Sequence, residues 1–181
     1  MAVYNLDVAF SSDVTPNNPS LPVAMAYGFT DNADAQSTFR GKGQTKESVP
    51  TGSTVSFVIY DTAQSPTYNV TSVQISSVNK SPGVGQANSP FSDSAWANGS
   101  ITATSNPSGP NQVQLDGPNS PATSTGCNVT GKSWIAGPFT VANLQGQQRF
   151  EITITVLTQN AQQSQKTFIV DPEMVVGQEN R

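Results

Sequence analysis

The sequence predicts an all-β fold, an antiparallel β-sandwich of roughly eight to ten short strands with long polar loops and little or no helix. Three observations predict it. Apolar residues alternate with polar ones in several short runs, the period of a strand with one buried face. No stretch sustains the apolar spacing of an amphipathic helix. Between the runs lie segments rich in Gly, Pro, Asn and Ser, which set turns. Charged residues make up 11% of the chain and hydrophobic ones 35%. That composition describes uncharged polar loops on a folded core, since disordered chains are usually rich in charge. At 181 residues the chain can bury a core without disulfides or metal. It reads as a single domain over 1–175 followed by a polar tail, 176–181.

The elements follow in order. Tyr4, Leu6, Val8 and Phe10 share one face of a first strand. Leu21, Val23, Met25, Tyr27 and Phe29 form a second, with Pro22 near its start, where a missing N–H does least harm. Residues 31–46 are polar and irregular, and Val49 to Ser53 reads as a turn. Val55, Phe57 and Ile59 then face inward, while Val58 and Tyr60 make the other face partly apolar, so this strand is expected at the centre of its sheet. Tyr68 and Val70 are out of phase with Val73 and Ile75, which predicts a β-bulge at Thr71 or Ser72. Residues 80–99 read as a loop carrying Phe91 and Trp96. Short strands are expected around Ile101 and Ala103 and around Val113 and Leu115, with a polar loop over 117–126. Two short extended pieces flank Gly137-Pro138. Phe150, Ile152, Ile154 and Val156 mark the clearest strand, with Glu151, Thr153 and Thr155 opposite. A polar turn at Asn160 to Ser164 leads to Phe168 and Val170, which complete a hairpin.

The chain has no histidine. This removes Ser–His–Asp and Cys–His nucleophiles and the usual zinc and copper sites. No phosphate-binding or dinucleotide-binding motif is present. Acidic residues are scattered. Asp171 and Glu173 form a close pair, but Pro172 between them argues for a turn rather than a catalytic face. No catalytic or cofactor-binding residue is therefore assigned, and no enzyme is expected. Calcium is the metal least excluded, through Asp31-Asn32-Ala33-Asp34, residues that equally form loop caps. Cys127 is the single cysteine, so no internal disulfide forms. It reads as a small buried thiol, the sharper alternative being a reactive or intermolecular one.

Net charge is −4, without a basic stripe. This argues against nucleic acid and against attraction to anionic membranes. No segment has the length and apolarity of a membrane helix, and the N-terminal run lacks a secretory pattern. A cytoplasmic location is the default expectation, with release or assembly into a particle as the exception. The four Asn-x-Ser/Thr triplets, at Asn69, Asn79, Asn98 and Asn128, are what chance gives in a chain this rich in those residues.

Loop aromatics either fold back to cap a core or present a binding surface. In the second case Trp96 stacks on a sugar ring and Asp93, Asn98 and Asn88 meet its hydroxyls, with Phe91 beside them. The candidate ligand surface is thus Phe91, Asp93, Trp96 and Asn98. Low charge density and the two-sided strand at Val55 to Tyr60 point first to a non-enzymatic structural or interaction protein, its partner another copy or another protein. A lectin-like carbohydrate-binding module is the alternative. The chain's length, the run from Gly52 to Tyr60 and Asp171-Pro172 after a late hairpin resemble bacterial inclusion-body proteins of the AidA/PixA type. That resemblance implies a self-associating β-sandwich.

Overall fold

The computed structural model describes residues 2–12, 25–31, 40–41, 46–61, 63, 67–81, 83, 87–106, 113–115, 125–127 and 133–177. Its strands are β1 (Val3–Phe10), β2 (Met25–Asp31), β3 (Arg40–Gly41), β4 (Lys46–Val49), β5 (Thr54–Asp61), β6 (Tyr68–Asn79), β7 (Ser100–Thr102) and β8 (Thr104–Asn106). They continue as β9 (Val113–Leu115), β10 (Thr125–Cys127), β11 (Ser133–Thr140), β12 (Gln148–Asn160), β13 (Gln165–Val170) and β14 (Glu173–Val176). The helical content of the described residues is one 3-10 turn, Ser94–Trp96. The all-β class therefore holds. Strands outnumber the expectation because several have only two to four residues.

One six-stranded sheet runs β3-β2-β1-β5-β11-β8. The other runs β4-β14-β12-β6-β7, and β13 also pairs with β12. β6 follows one edge of β12, while β14 and β13 divide the other, pairing with residues 148–151 and 154–159. β9 and β10 form a separate ribbon. The sheets are mixed rather than purely antiparallel, because β1 pairs in parallel with β5, and β14 with β4. Apolar alternation reports which face is buried and is blind to the direction of the neighbouring strand.

β5 lies between β1 and β11, as its two-sided apolar pattern requires. The turn before it closes with Ser53 N–H donating to the Pro50 carbonyl at 3.1 Å, and Gly52 takes φ +77 there. The expected bulge is present. Leu157 pairs with Ser72 and Thr158 with Val70, so Thr71 is the extra residue. The two pieces around Gly137-Pro138 form one strand, β11, with a register shift between Ala136 and Phe139. Lys46–Val49 and Glu173–Val176, which the sequence pattern does not assign to strands, are strands that pair with each other. Val176, placed by sequence at the start of the tail, is fully buried.

The inner faces of the sheets share one core. Leu6, Val8, Phe10, Val55, Phe57, Ile59 and Trp134 of the first sheet meet Val73, Ile75, Phe150, Ile152, Ile154, Val156 and Phe168 of the second. Phe10 and Phe168 touch across the sandwich, ring centroids 5.2 Å apart. β12 alternates strictly, with even positions 148–158 buried and odd ones partly open.

Candidate functional site

The segment Ala87 to Gly99 folds back as a cap on the core. Phe91 bridges Val141. Ser92 N–H donates to the Thr140 carbonyl at 3.0 Å, and Ala142 N–H to the Pro90 carbonyl at 2.9 Å. Thr140 N–H donates to Asp93 Oδ2 at 2.7 Å. Inside the cap, Trp96 is 0% exposed and Phe91 is 4% exposed. Trp96 packs against Phe91, Phe139 and Phe57 with centroids 4.9, 5.5 and 5.9 Å away. Among the described residues its indole Nε1 has no hydrogen-bond partner, and neither has the buried Ser77 Oγ. Ser77 N–H donates to the Gly99 carbonyl, at 2.9 Å, which closes the cap onto β6.

The four candidate residues take different places in the fold. Phe91 and Trp96 belong to the core, and neither offers a ring face to a sugar, so the structure corrects the stacking-platform reading. Asp93 anchors Thr140. Asn98 and Asn88 are exposed, but no aromatic face lies open beside them in the cap. Burial won because an indole in a loop next to a sheet edge gains more by covering Phe57 than by standing in water.

Two buried polar clusters gave no sequence signal, because their members lie far apart in the chain. Asp61, at the end of β5, accepts Ser12 N–H at 3.0 Å, Ser12 Oγ–H at 2.6 Å and Ala63 N–H at 3.0 Å. Lys166 from the other sheet donates to the Ser12 carbonyl at 3.0 Å and lies 3.9 Å from the centroid of the Tyr68 ring. The cluster ties the ends of β1, β5 and β13 together. Ser12 is fully buried, so it is no accessible nucleophile. On the outer face of the first sheet, Tyr60 O–H donates to Asp7 Oδ1 at 3.3 Å. Burial first, then the Asp7 charge and this hydrogen bond, push the Tyr60 phenol far above its usual range. Among the described residues no three His, Cys, Asp or Glu gather to hold a metal. Of the calcium candidate only Asp31 is described, in the backbone of β2; 32–34 lie outside the described residues, as does the Cys127 side chain. Glu173 holds Arg149 through two guanidinium contacts, at 3.0 and 2.6 Å.

The two sheets differ on their outer faces. On the first, Asp7, Val58 and Tyr60 are only 3%, 9% and 5% exposed, so its centre is covered. The second is open, with Val78 49% and Ile169 55% exposed. Register places Thr102, Gln74, Thr155 and Ile169 in one row across it. Ser100, Ser76 and Thr153 make the next, and Ser72, Leu157 and Thr167 another. The charges near this face, Lys80 with Glu151 at 3.2 Å and Arg149 with Glu173, are paired at one end.

No known protein family matches the chain, and no curated protein does. Among solved structures it is similar to an inclusion body protein, PixA, from Burkholderia cenocepacia. That match has 10% identity and a TM-score of 0.33 over 96% of this chain and 94% of that one. No helix among the described residues is long and apolar enough to cross a membrane.

Proposed function

We propose that the chain is a non-enzymatic structural protein that self-associates through the outer face of its second sheet. The observation that supports this reading is the contrast between the outer faces: one is covered at its centre, the other open, uncharged across three rows and carrying exposed Val78 and Ile169. Interface centres are depleted of charge, and a two-fold contact places each row against a copy of this surface. Charge pairs confined to one end leave the middle free of like-charge repulsion.

Sedimentation velocity across a concentration series tests the reading. The wild-type chain is expected to gain mass with concentration. Thr155→Lys, at the centre of the face, brings like charges together in the assembly while leaving the single chain solvated. It is expected to keep its melting temperature and stay monomeric. A wild-type chain that is monomeric throughout, or a Thr155→Lys chain that associates equally well, refutes the proposal.

A further inference from the structure

The turn leading out of the aromatic cap holds the chain's only Asn-Gly pair, Asn98-Gly99. Asn98 is exposed, and among the described residues no group holds its carboxamide. The contrast with other asparagines is direct. Asn79 Nδ2 donates to Gln148 Oε1 at 2.7 Å and to the Ala87 carbonyl at 2.9 Å, while its Oδ1 accepts Ser81 N–H. Asn160 Oδ1 accepts the amides of Gln162 and Ser164. Gly99 has φ +70, and a Cβ placed on it would meet only the Ser77 carbonyl oxygen, at 3.7 Å. Glycine therefore suits the left-handed turn, and its backbone nitrogen is left without a shielding side chain.

We propose that Asn98 is a site of spontaneous covalent modification, converted through a succinimide to aspartate and isoaspartate whenever the Trp96 cap opens. Hydroxide takes the proton of the Gly99 amide, and that nitrogen attacks the Asn98 side-chain carbonyl carbon. The new C–N bond closes a five-membered imide. The bond from Cγ to Nδ2 breaks, and Nδ2 takes a proton from water and leaves as ammonia. Water then adds to one of the two imide carbonyls. Breaking the bond between Cγ and the Gly99 nitrogen gives aspartate. Breaking the bond from the Asn98 main-chain carbonyl gives isoaspartate, in which the backbone runs through the former side chain. Nothing is oxidised or reduced.

The closed cap holds this reaction back. Gly99 N–H donates to the Trp96 carbonyl at 2.8 Å, and the Gly99 carbonyl accepts Ser77 N–H at 2.9 Å. The attacking nitrogen is thus fixed in a turn with its proton engaged, and both bonds must break before it can swing toward Cγ. The anchor of the turn is the Trp96 ring, whose N–H makes no bond among the described residues. Ring packing and the two Gly99 backbone bonds together resist opening there. Isoaspartate adds a main-chain carbon between residues 98 and 99, so the product cannot restore both Gly99 bonds. Modification therefore unlatches the cap and leaves a new carboxylate at its rim.

Peptide mapping by mass spectrometry, with isoaspartate detected by an isoaspartyl methyltransferase, tests this on the full chain at mildly alkaline pH. The expected result is amide-to-acid conversion at Asn98, at least severalfold slower in the native chain than in denaturant. Asn98→Ser is expected to lose the signal at this position. Trp96→Ala is expected to accelerate the reaction toward the denatured rate. Because that variant weakens the fold, a second measurement uses the wild-type chain alone. Amide exchange at Gly99 and conversion at Asn98 should rise together through urea concentrations below the unfolding transition. No conversion at Asn98 in the native chain, a native rate equal to the denatured one, or conversion that does not follow Gly99 exchange overturns the proposal.

Discussion

Replacing Trp96 separates a core cap from an exposed platform. The indole is fully buried against three phenylalanines. An aromatic side chain of this kind buries about 150–250 Å². At about 25 cal/mol per Å² its removal from water contributes about 4–6 kcal/mol. Set against this, a buried N–H without a partner costs about 1–3 kcal/mol, and Trp96 Nε1 is such a group. Trp96→Ala removes both and is expected to lose about 3 kcal/mol, within the usual range for large-to-small aromatic truncation in a core. For a chain of this length that lowers Tm by roughly 6–12 °C. Trp96→Phe keeps most of the ring contacts and discards the unpartnered N–H, so its two changes oppose each other. Its stability should stay within about 1 kcal/mol of wild type. Urea unfolding followed by far-ultraviolet circular dichroism measures both. An alanine variant as stable as wild type refutes the cap. A phenylalanine variant as damaged as the alanine one shows that the N–H does have a partner.

Substitutions at two further positions probe the buried polar groups. Asp61→Ala leaves the Ser12 and Ala63 donors without their acceptor and should cost about 3 kcal/mol, since hydrogen bonds to a buried charge are the strong ones. Asp61→Asn keeps one acceptor oxygen, and the Ser12 hydroxyl can rotate to accept, so denaturant midpoints should show a loss of only about 1 kcal/mol. Tyr60 predicts the behaviour at high pH. Its folded-state pKa is raised by burial and by Asp7, so its contribution is complete below the unfolded value of about 10 and declines above it. Only the unfolded chain releases that proton as the pH passes this point. Stability should therefore fall by about 1.4 kcal/mol by one pH unit above the unfolded value on account of this residue. Tyr60→Phe should weaken the protein at neutral pH and remove this part of the alkaline decline. Urea midpoints at pH 8 and 11 for both chains give the comparison, and an equal decline in the two refutes the assignment.

Much of the fold was legible in the sequence because burial writes itself as alternation. Val55 to Ile59 and Phe150 to Val156 show it most clearly, and the phase slip narrowed the bulge to Thr71 or Ser72, of which Thr71 is the extra residue. Strand neighbours were not legible. Alternation in Tyr4 to Phe10 says that one face is buried, and nothing in it requires β5 to lie beside it in parallel. Four-residue strands such as β4 and β14 are too short to show a period, and Met174, Val175 and Val176 are all buried, so they do not alternate. The Asp61 cluster was illegible because Ser12, Asp61 and Lys166 meet only once the sheets are stacked. Trp96 was ambiguous because aromatic residues in a polar loop look alike whether they face water or the core.

The shared edge of β12 also bears on how the protein is made. β14 completes the first four residues of β12 and at the same time pairs with β4, joining residues 173–176 to 46–49. Met174 and Val176 are fully buried. A growing chain can pair the first sheet and the β12–β13 hairpin before β14 is available. It cannot close the second sheet until residues 173–176 have left the ribosome. Until then one edge of β12 beside Phe150 lacks its neighbour, with apolar surface uncovered. Contacts this distant in sequence slow folding, and uncovered strand edges invite association between unfinished chains. Closure of the second sheet thus waits on a pairing between segments more than a hundred residues apart.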